Sequence, residues 1–336
     1  MAAAAAALDG QTALALRLAK HLAPSPADDG SAANVNFSPV SVHAALSLVA
    51  AGAERGATLD QLLAFLGAPS VAALSFIGSR VSDHVLADGS YFDGGARVLF
   101  VGGVWVDASS GGIADAFRGV AAESYEAHQV QTVNVTYEPE AAVKIINECV
   151  KKATGVDGII FASDVVGTAT DLVLASAVCF SGAWLHSFHP RGTWPGTFHR
   201  LDGSHGEANF MTAFDAMHVA CVDGFKVLKL PYRGGRMLKV KAVRVVRGCE
   251  TCYSMFVFLP DTRDGIAATV DAVTTAPASL QGILAQMTER TVHVKLPKFE
   301  ISFNWDGLER DLRRLGLSVP FSPEEADLQG MCVGDC

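Results

Sequence analysis

From Leu172 to Phe180 the chain is almost wholly apolar, interrupted only by Ser176. The run is far shorter than the roughly 20 residues that cross a bilayer as a helix. Valine and alanine dominate it and polar residues flank it, the pattern of a β-strand covered on both faces. Such a strand needs a packed layer on each side, so the chain must build a layered core. Its composition permits this: 50% of the residues are hydrophobic and only 18% charged, which excludes a disordered chain. No proline-rich linker, shift of composition or internal repeat divides the sequence. Residues 1–336 therefore read as one domain.

Around that strand, helices and strands mix without strict alternation, which favours α+β over a doubly wound sheet. An alanine-rich lead enters a first helix through Leu14 and Leu22. Ser38 is a good N-cap and Pro39 suits the first helical position of a helix that Gly52 ends. Thr58 to Gln61 has capping-box spacing for a second helix closed by Gly67. Arg97 to Asp107 reads as a strand in which Gly102-Gly103 marks a bulge or a close backbone approach. Val133 to Val135 is a short strand. Pro139 to Lys152 places Val143, Ile146 and Val150 on one helical face. Tyr253 to Leu259 is a strand, and alternation runs from Val292 to Phe303 with a break at Pro297. Leu308, Leu312 and Leu315 define a last helix stopped by Gly316.

The net charge of −9 argues against nucleic acid as the main partner. One stretch departs from that balance: residues 233–248 are strongly basic, with no acidic residue between Asp223 and Glu250. Without interleaved aromatics it reads as a solvated extension, and polyanion binding is not expected. Neither a Gly-x-Ser-x-Gly elbow nor a phosphate-binding Gly-x-x-x-x-Gly-Lys run is present, so no catalytic residue is assigned. His186 and His189, with His199 and His205 nearby, read as surface histidines. Cys249 and Cys252 have metal or redox spacing, but Cys332 and Cys336 are poorly spaced to complete a zinc site. No metal and no cofactor are expected. The start lacks the basic region of a signal peptide, which implies a cytoplasmic protein with reduced thiols and no membrane partner.

Several motifs in order carry a resemblance. Asn34-Val35-Asn36-Phe37-Ser38-Pro39-Val40-Ser41-Val42-His43 resembles the helix opening of serpins, the serine protease inhibitor superfamily. Gly103-Val104-Trp105-Val106-Asp107 is similar to a strand of their large central sheet. Ala175 to Trp184, Phe225 to Tyr232, Tyr253 to Pro260, Leu296-Pro297-Lys298-Phe299 and the Leu315 to Leu328 run follow suit. The style is closest to plant serpins.

The resemblance implies a large central mixed or antiparallel sheet, smaller sheets and about eight helices. It implies a metastable scaffold whose exposed loop, once cut by a serine or cysteine protease, inserts as a new strand. Ser38, Ser41 and Ser176 fall at the family's sheet-opening region, with serine standing where the family's strand has asparagine. Trp184 falls at the position beneath the top of the sheet. By the same resemblance the hinge, reactive loop and terminal strands would follow Met331, yet the chain ends at Cys336. The expectation is a non-inhibitory member; the alternative is an endopeptidase inhibitor shown without its C-terminus. Self-association by strand insertion is a further expectation, and an extracellular location stays open through the family.

Overall fold

The computed structural model describes residues 2–23, 34–85, 96–125, 127, 129–154, 170, 172–233, 253–301, 303, 305 and 307–334. The alanine lead is helical from its start, and α1 spans Ala2–Leu22 with Leu14 and Leu18 fully buried. Helix α2 (Pro39–Gly52) is capped by Ser38 as expected. Helices α3 (Gly56–Leu66), α4 (Val71–His84) and α5 (Asp115–Tyr125) pack with it into the largest core cluster. No single helix among the described residues is long and apolar enough to cross a membrane.

The expected strand Arg97–Asp107 forms as β1, the centre of a three-stranded sheet. Strand β2 (Gln129–Val133) lies parallel on one side and β3 (Leu172–Ser181) antiparallel on the other. Pairing of β1 with β3 is unbroken from Arg97 opposite Ser181 to Val106 opposite Leu172, so Gly102 and Gly103 form no bulge. They mark a close approach instead. Residues two apart share a strand face, and a Cβ on Gly103 would stand 2.0 Å from the Trp105 ring.

Strand β3 is covered on both faces over its first half. Leu172 and Leu174 pack on the helical core, while Val173 and Ala175 join Trp105 against α6 (Pro139–Thr154). Val143, Ile146 and Val150 are the buried face of α6. The far end of β3 leaves this shelter, and Phe180 is exposed.

A five-stranded antiparallel sheet follows. Its strands are β4 (Thr193–His199), β5 (His205–Val222), β6 (Phe225–Pro231) and β7 (Ser254–Pro260) in order, with β8 (Thr288–Pro297) also paired to β5. Helices α7 (Ile266–Thr274) and α8 (Pro277–Ala285) precede β8, and α9 (Leu308–Arg314) follows it. The class is α+β, with nine α-helices among the described residues.

Three local expectations are corrected. Helix α3 begins at Gly56 and has no side-chain cap. Thr58 is fully buried inside it, donating to the Glu325 carbonyl at 3.3 Å and accepting from the Asp327 N–H at 2.9 Å. Gln61 Oε1 accepts from the N–H groups of Ser318 at 2.8 Å and Val319 at 2.7 Å. The supposed capping box thus anchors the last stretch of chain. We expect Gln61→Ala, which removes two hydrogen bonds that water can replace in part, to lower stability by about 0.5–1.5 kcal/mol. A urea midpoint that falls with an unchanged m-value would register it.

The remaining corrections are shorter. Strand β2 stops at Val133, because the Val135 N–H is taken by Asp107. The break expected at Pro297 is where β8 ends, opposite Phe210; proline lacks the N–H to continue a ladder, and Phe299 is exposed. Cys332 is disulfide-bonded, against the expectation of reduced thiols, and its partner lies outside the described residues. Cys149, Cys179 and Cys221 are free. The basic stretch beyond Arg233 and the Cys249–Cys252 pair fall outside the described residues.

Candidate functional site: the three-stranded sheet and the helix beneath it

Extended residues 34–38 lead into α2. Ser38 Oγ accepts from the Ser41 N–H at 3.2 Å and from the Ser41 hydroxyl at 3.0 Å. The two serines therefore form one unit at the head of the helix. Helix α2 then runs beneath the sheet. Ala44, Ala45 and Leu48 face Gly102, Gly103 and Leu174 across a narrow gap. Small residues on both sides allow this approach. Ser176 takes its place in β3 opposite Gly102. Its side chain lies outside the described part of the structure.

Among the described residues, β3 is paired on its β1 side and no strand pairs with its other edge. An unpaired strand edge is a row of N–H and C=O groups open to another strand.

Trp184 closes the end of β3. It forms an isolated bridge to Tyr232 and stacks on that ring at 4.4 Å between centroids and 19° between planes. Phe180 meets Tyr232 and Tyr253 edge-on at 4.8 and 5.1 Å. The Leu185 N–H donates to Pro231 O and the Arg233 N–H to Ala183 O, both at 2.8 Å. Gly182 leaves room for the stack, since a Cβ there would lie 2.8 Å from Tyr232. Trp184 thus joins the end of β3 to the end of β6. Burial pushes the Tyr232 and Tyr253 phenols up. Both tyrosines stand in the motifs quoted above, but nothing local assigns them to Trp184.

Sequence reading also misses Asp107. It is fully buried at the end of β1. Its Oδ1 accepts from the N–H groups of Val135 at 2.5 Å and Thr136 at 3.0 Å. Its Oδ2 accepts from the Ser109 N–H and the Thr136 hydroxyl, both at 2.9 Å, and from the Ser109 hydroxyl. Burial alone would raise its pKa, but the hydrogen bonds from Ser109 and Thr136 hold it well below the usual carboxylate range. The group fixes the turn from β2 to α6. An acidic residue closing a strand before Ser109-Ser110 is the only signal in the sequence.

The four histidines do not converge as one group, although His199 and His205 stand opposite each other across β4 and β5. His186 Nδ1 lies 3.1 Å from Asp215 Oδ2, and His189 Nδ1 accepts from the Arg191 N–H at 3.1 Å. Among the described residues no three His, Cys, Asp or Glu side chains are grouped to hold a metal.

Comparisons with known proteins bear on this arrangement. The profile of the family described as serpin (serine protease inhibitor) matches residues 9–335. Serpin-Z2A of Oryza sativa subsp. japonica is 39% identical over 345 residues, covering 97% of this chain and 79% of the relative. Serpin-Z7 of Hordeum vulgare is 38% identical over 319 residues, covering 94% and 75%. The structure of Arabidopsis AtSerpin1 in its native stressed conformation superposes with a TM-score of 0.82 at 32% identity, covering 97% of this chain and 78% of that one.

Proposed function

This chain belongs to the serpin family, and we propose that its 336 residues form the scaffold of a protease-directed inhibitor without themselves trapping a protease. One observation carries the reading: among the described residues β3 is paired on one side only, over the stretch of α2 where Ala44, Ala45 and Leu48 face Leu174. That is an acceptor for an inserted strand. The residues after Met331 read Cys-Val-Gly-Asp-Cys and hold no run of small residues and no bait segment. A trap needs both an acceptor and a cleavable strand to fill it.

A second reading, an inhibitor of serine or cysteine endopeptidases in which a loop follows these residues, is favoured by the order of the acceptor itself. The β1–β3 register is continuous and the Trp184–Tyr232 stack is in place. Neither reading assigns a catalytic residue.

Two polypeptides separate them. One is the 336-residue chain; the other carries the same residues followed by the C-terminal segment of rice Serpin-Z2A, beginning where the match ends. Each is incubated with trypsin and with papain and run on a denaturing gel. The expected result is an SDS-stable complex from the extended chain alone. A covalent complex from the 336 residues overturns the first reading. No complex from either polypeptide overturns the second.

A further inference from the structure

His43 lies on α2, away from the serine pair, and is 4% exposed. Its Nδ1 is 3.3 Å from Ser47 Oγ one turn along the helix. Its Nε2 has no hydrogen-bond partner among the described residues. A buried polar nitrogen without a partner needs an explanation.

The ring borders a small cavity where four elements converge on α2. Helix α1 contributes Gln11, α4 contributes Ile77, Gly78, Val81 and Ser82, α5 contributes Tyr125, and β1 contributes Phe100. Among the described residues lining the cavity, Tyr125 is the only titratable group besides His43, and burial pushes it up to about 12, so it stays neutral through the acid range. No carboxylate is among the described residues that line the cavity. A proton gained by His43 would therefore be buried without a counter-charge, which is unfavourable while the helices stay packed.

The neighbouring turn of α2 makes this consequential. Ala44, beside His43, borders both this cavity and the narrow gap beneath Gly102 and Leu174. A shift of α2 that lets water reach His43 is also a shift of the floor under β1 and β3.

We infer that His43 is an acid-operated release beneath the three-stranded sheet: protonation drives α2 from its packed position and loosens the floor on which the edge of β3 is held. Burial lowers the ring's pKa from 6.5 to about 4. The packed state therefore prefers the neutral ring, and its advantage declines as pH falls from about 6.5 towards 4. If opening restores ordinary hydration, the opening equilibrium at pH 5 rises on the order of 20-fold over pH 7.5. Its consequence for strand uptake rests on the scaffold reading above; the release itself does not.

Amide hydrogen exchange on the 336-residue chain tests the release directly. Protection of residues 39–52 is measured at pH 7.5 and pH 5, after correction for intrinsic exchange, in the parent, His43→Phe and His43→Gln. The expected result is a roughly 20-fold loss of protection in the parent and little in either variant. The glutamine variant keeps a polar group of similar size should phenylalanine not fold. Equal protection at the two pH values in the parent, or the same loss in a folded variant, overturns the inference.

A fluorescein-labelled twelve-residue peptide of alternating threonine and valine reports separately on the edge of β3. Faster uptake at pH 5 in the parent and not in the variants supports the link between release and edge. Absence of uptake at either pH, with the exchange result intact, sinks the acceptor reading while leaving the release standing.

Discussion

Asp107→Ala should destabilise the protein by about 3–5 kcal/mol, a large fraction of the about 5–15 kcal/mol that holds a domain folded. The carboxylate receives hydrogen bonds from the N–H groups of Ser109, Val135 and Thr136 and from two hydroxyls. Val135 is fully buried, so its N–H finds no water when the acceptor is removed. Each stranded buried donor costs about 1–3 kcal/mol. Asp107→Asn keeps one acceptor oxygen but turns an NH2 group towards the other donors, and its loss should fall between parent and alanine. Thermal and urea unfolding of the three proteins would rank them; equal stability would refute the account.

The same residue sets a pH limit. Its folded pKa lies below the unfolded value of about 4. The stability it confers is therefore present above pH 4 and is lost as pH falls below it. The asparagine variant should lack this acid limb. The window lies below the one assigned to His43, so the two contributions separate in a single titration.

Trp105→Ala should cost about 2–4 kcal/mol. The ring is fully buried between β1 and α6, among Val133, Ile146, Val150 and Val173. Truncating a core aromatic to alanine costs about 3–5 kcal/mol. Part of that is offset here, because Trp105 Nε1 has no partner among the described residues and its removal relieves a buried donor. Trp105→Phe, which removes the donor and keeps much of the ring, should cost less than about 1.5 kcal/mol. Gly103→Ala drives a methyl into the ring and should cost about 1–3 kcal/mol alone. It should cost less on the phenylalanine background, since two residues in contact do not act independently. Strict additivity in that double-mutant cycle would show that the ring is not what requires glycine at 103.

Features governed by neighbours in the chain were legible in advance. Ser38 and Pro39 start α2 because a cap and a first-turn proline act within three residues. Val143, Ile146 and Val150 face the core because helical spacing alone puts them on one side. Arg97–Asp107 and Leu172–Ser181 are strands because a run of branched apolar residues suits a pleat covered on both faces.

Where the partner is distant, the same residue types misled. Thr58 and Gln61 carry a spacing that caps a helix, yet Thr58 bonds a carbonyl 267 residues further on. Nothing local distinguishes the two uses of one hydroxyl. Val135 has the side chain of a strand residue, but its N–H is claimed by Asp107, 28 positions earlier. Trp184 reads as core from either direction, and only packing made it the contact between the ends of β3 and β6.

The order of motifs, the periodicities and the caps were thus settled by the chain itself, because each depends on contacts a few residues long. The gap above α2 and, among the described residues, the unpaired edge of β3 and the lone nitrogen of His43 were decided by the folded arrangement. Each depends on which surfaces meet, and a hydrogen bond or a void between remote segments leaves no trace in the residues that form it.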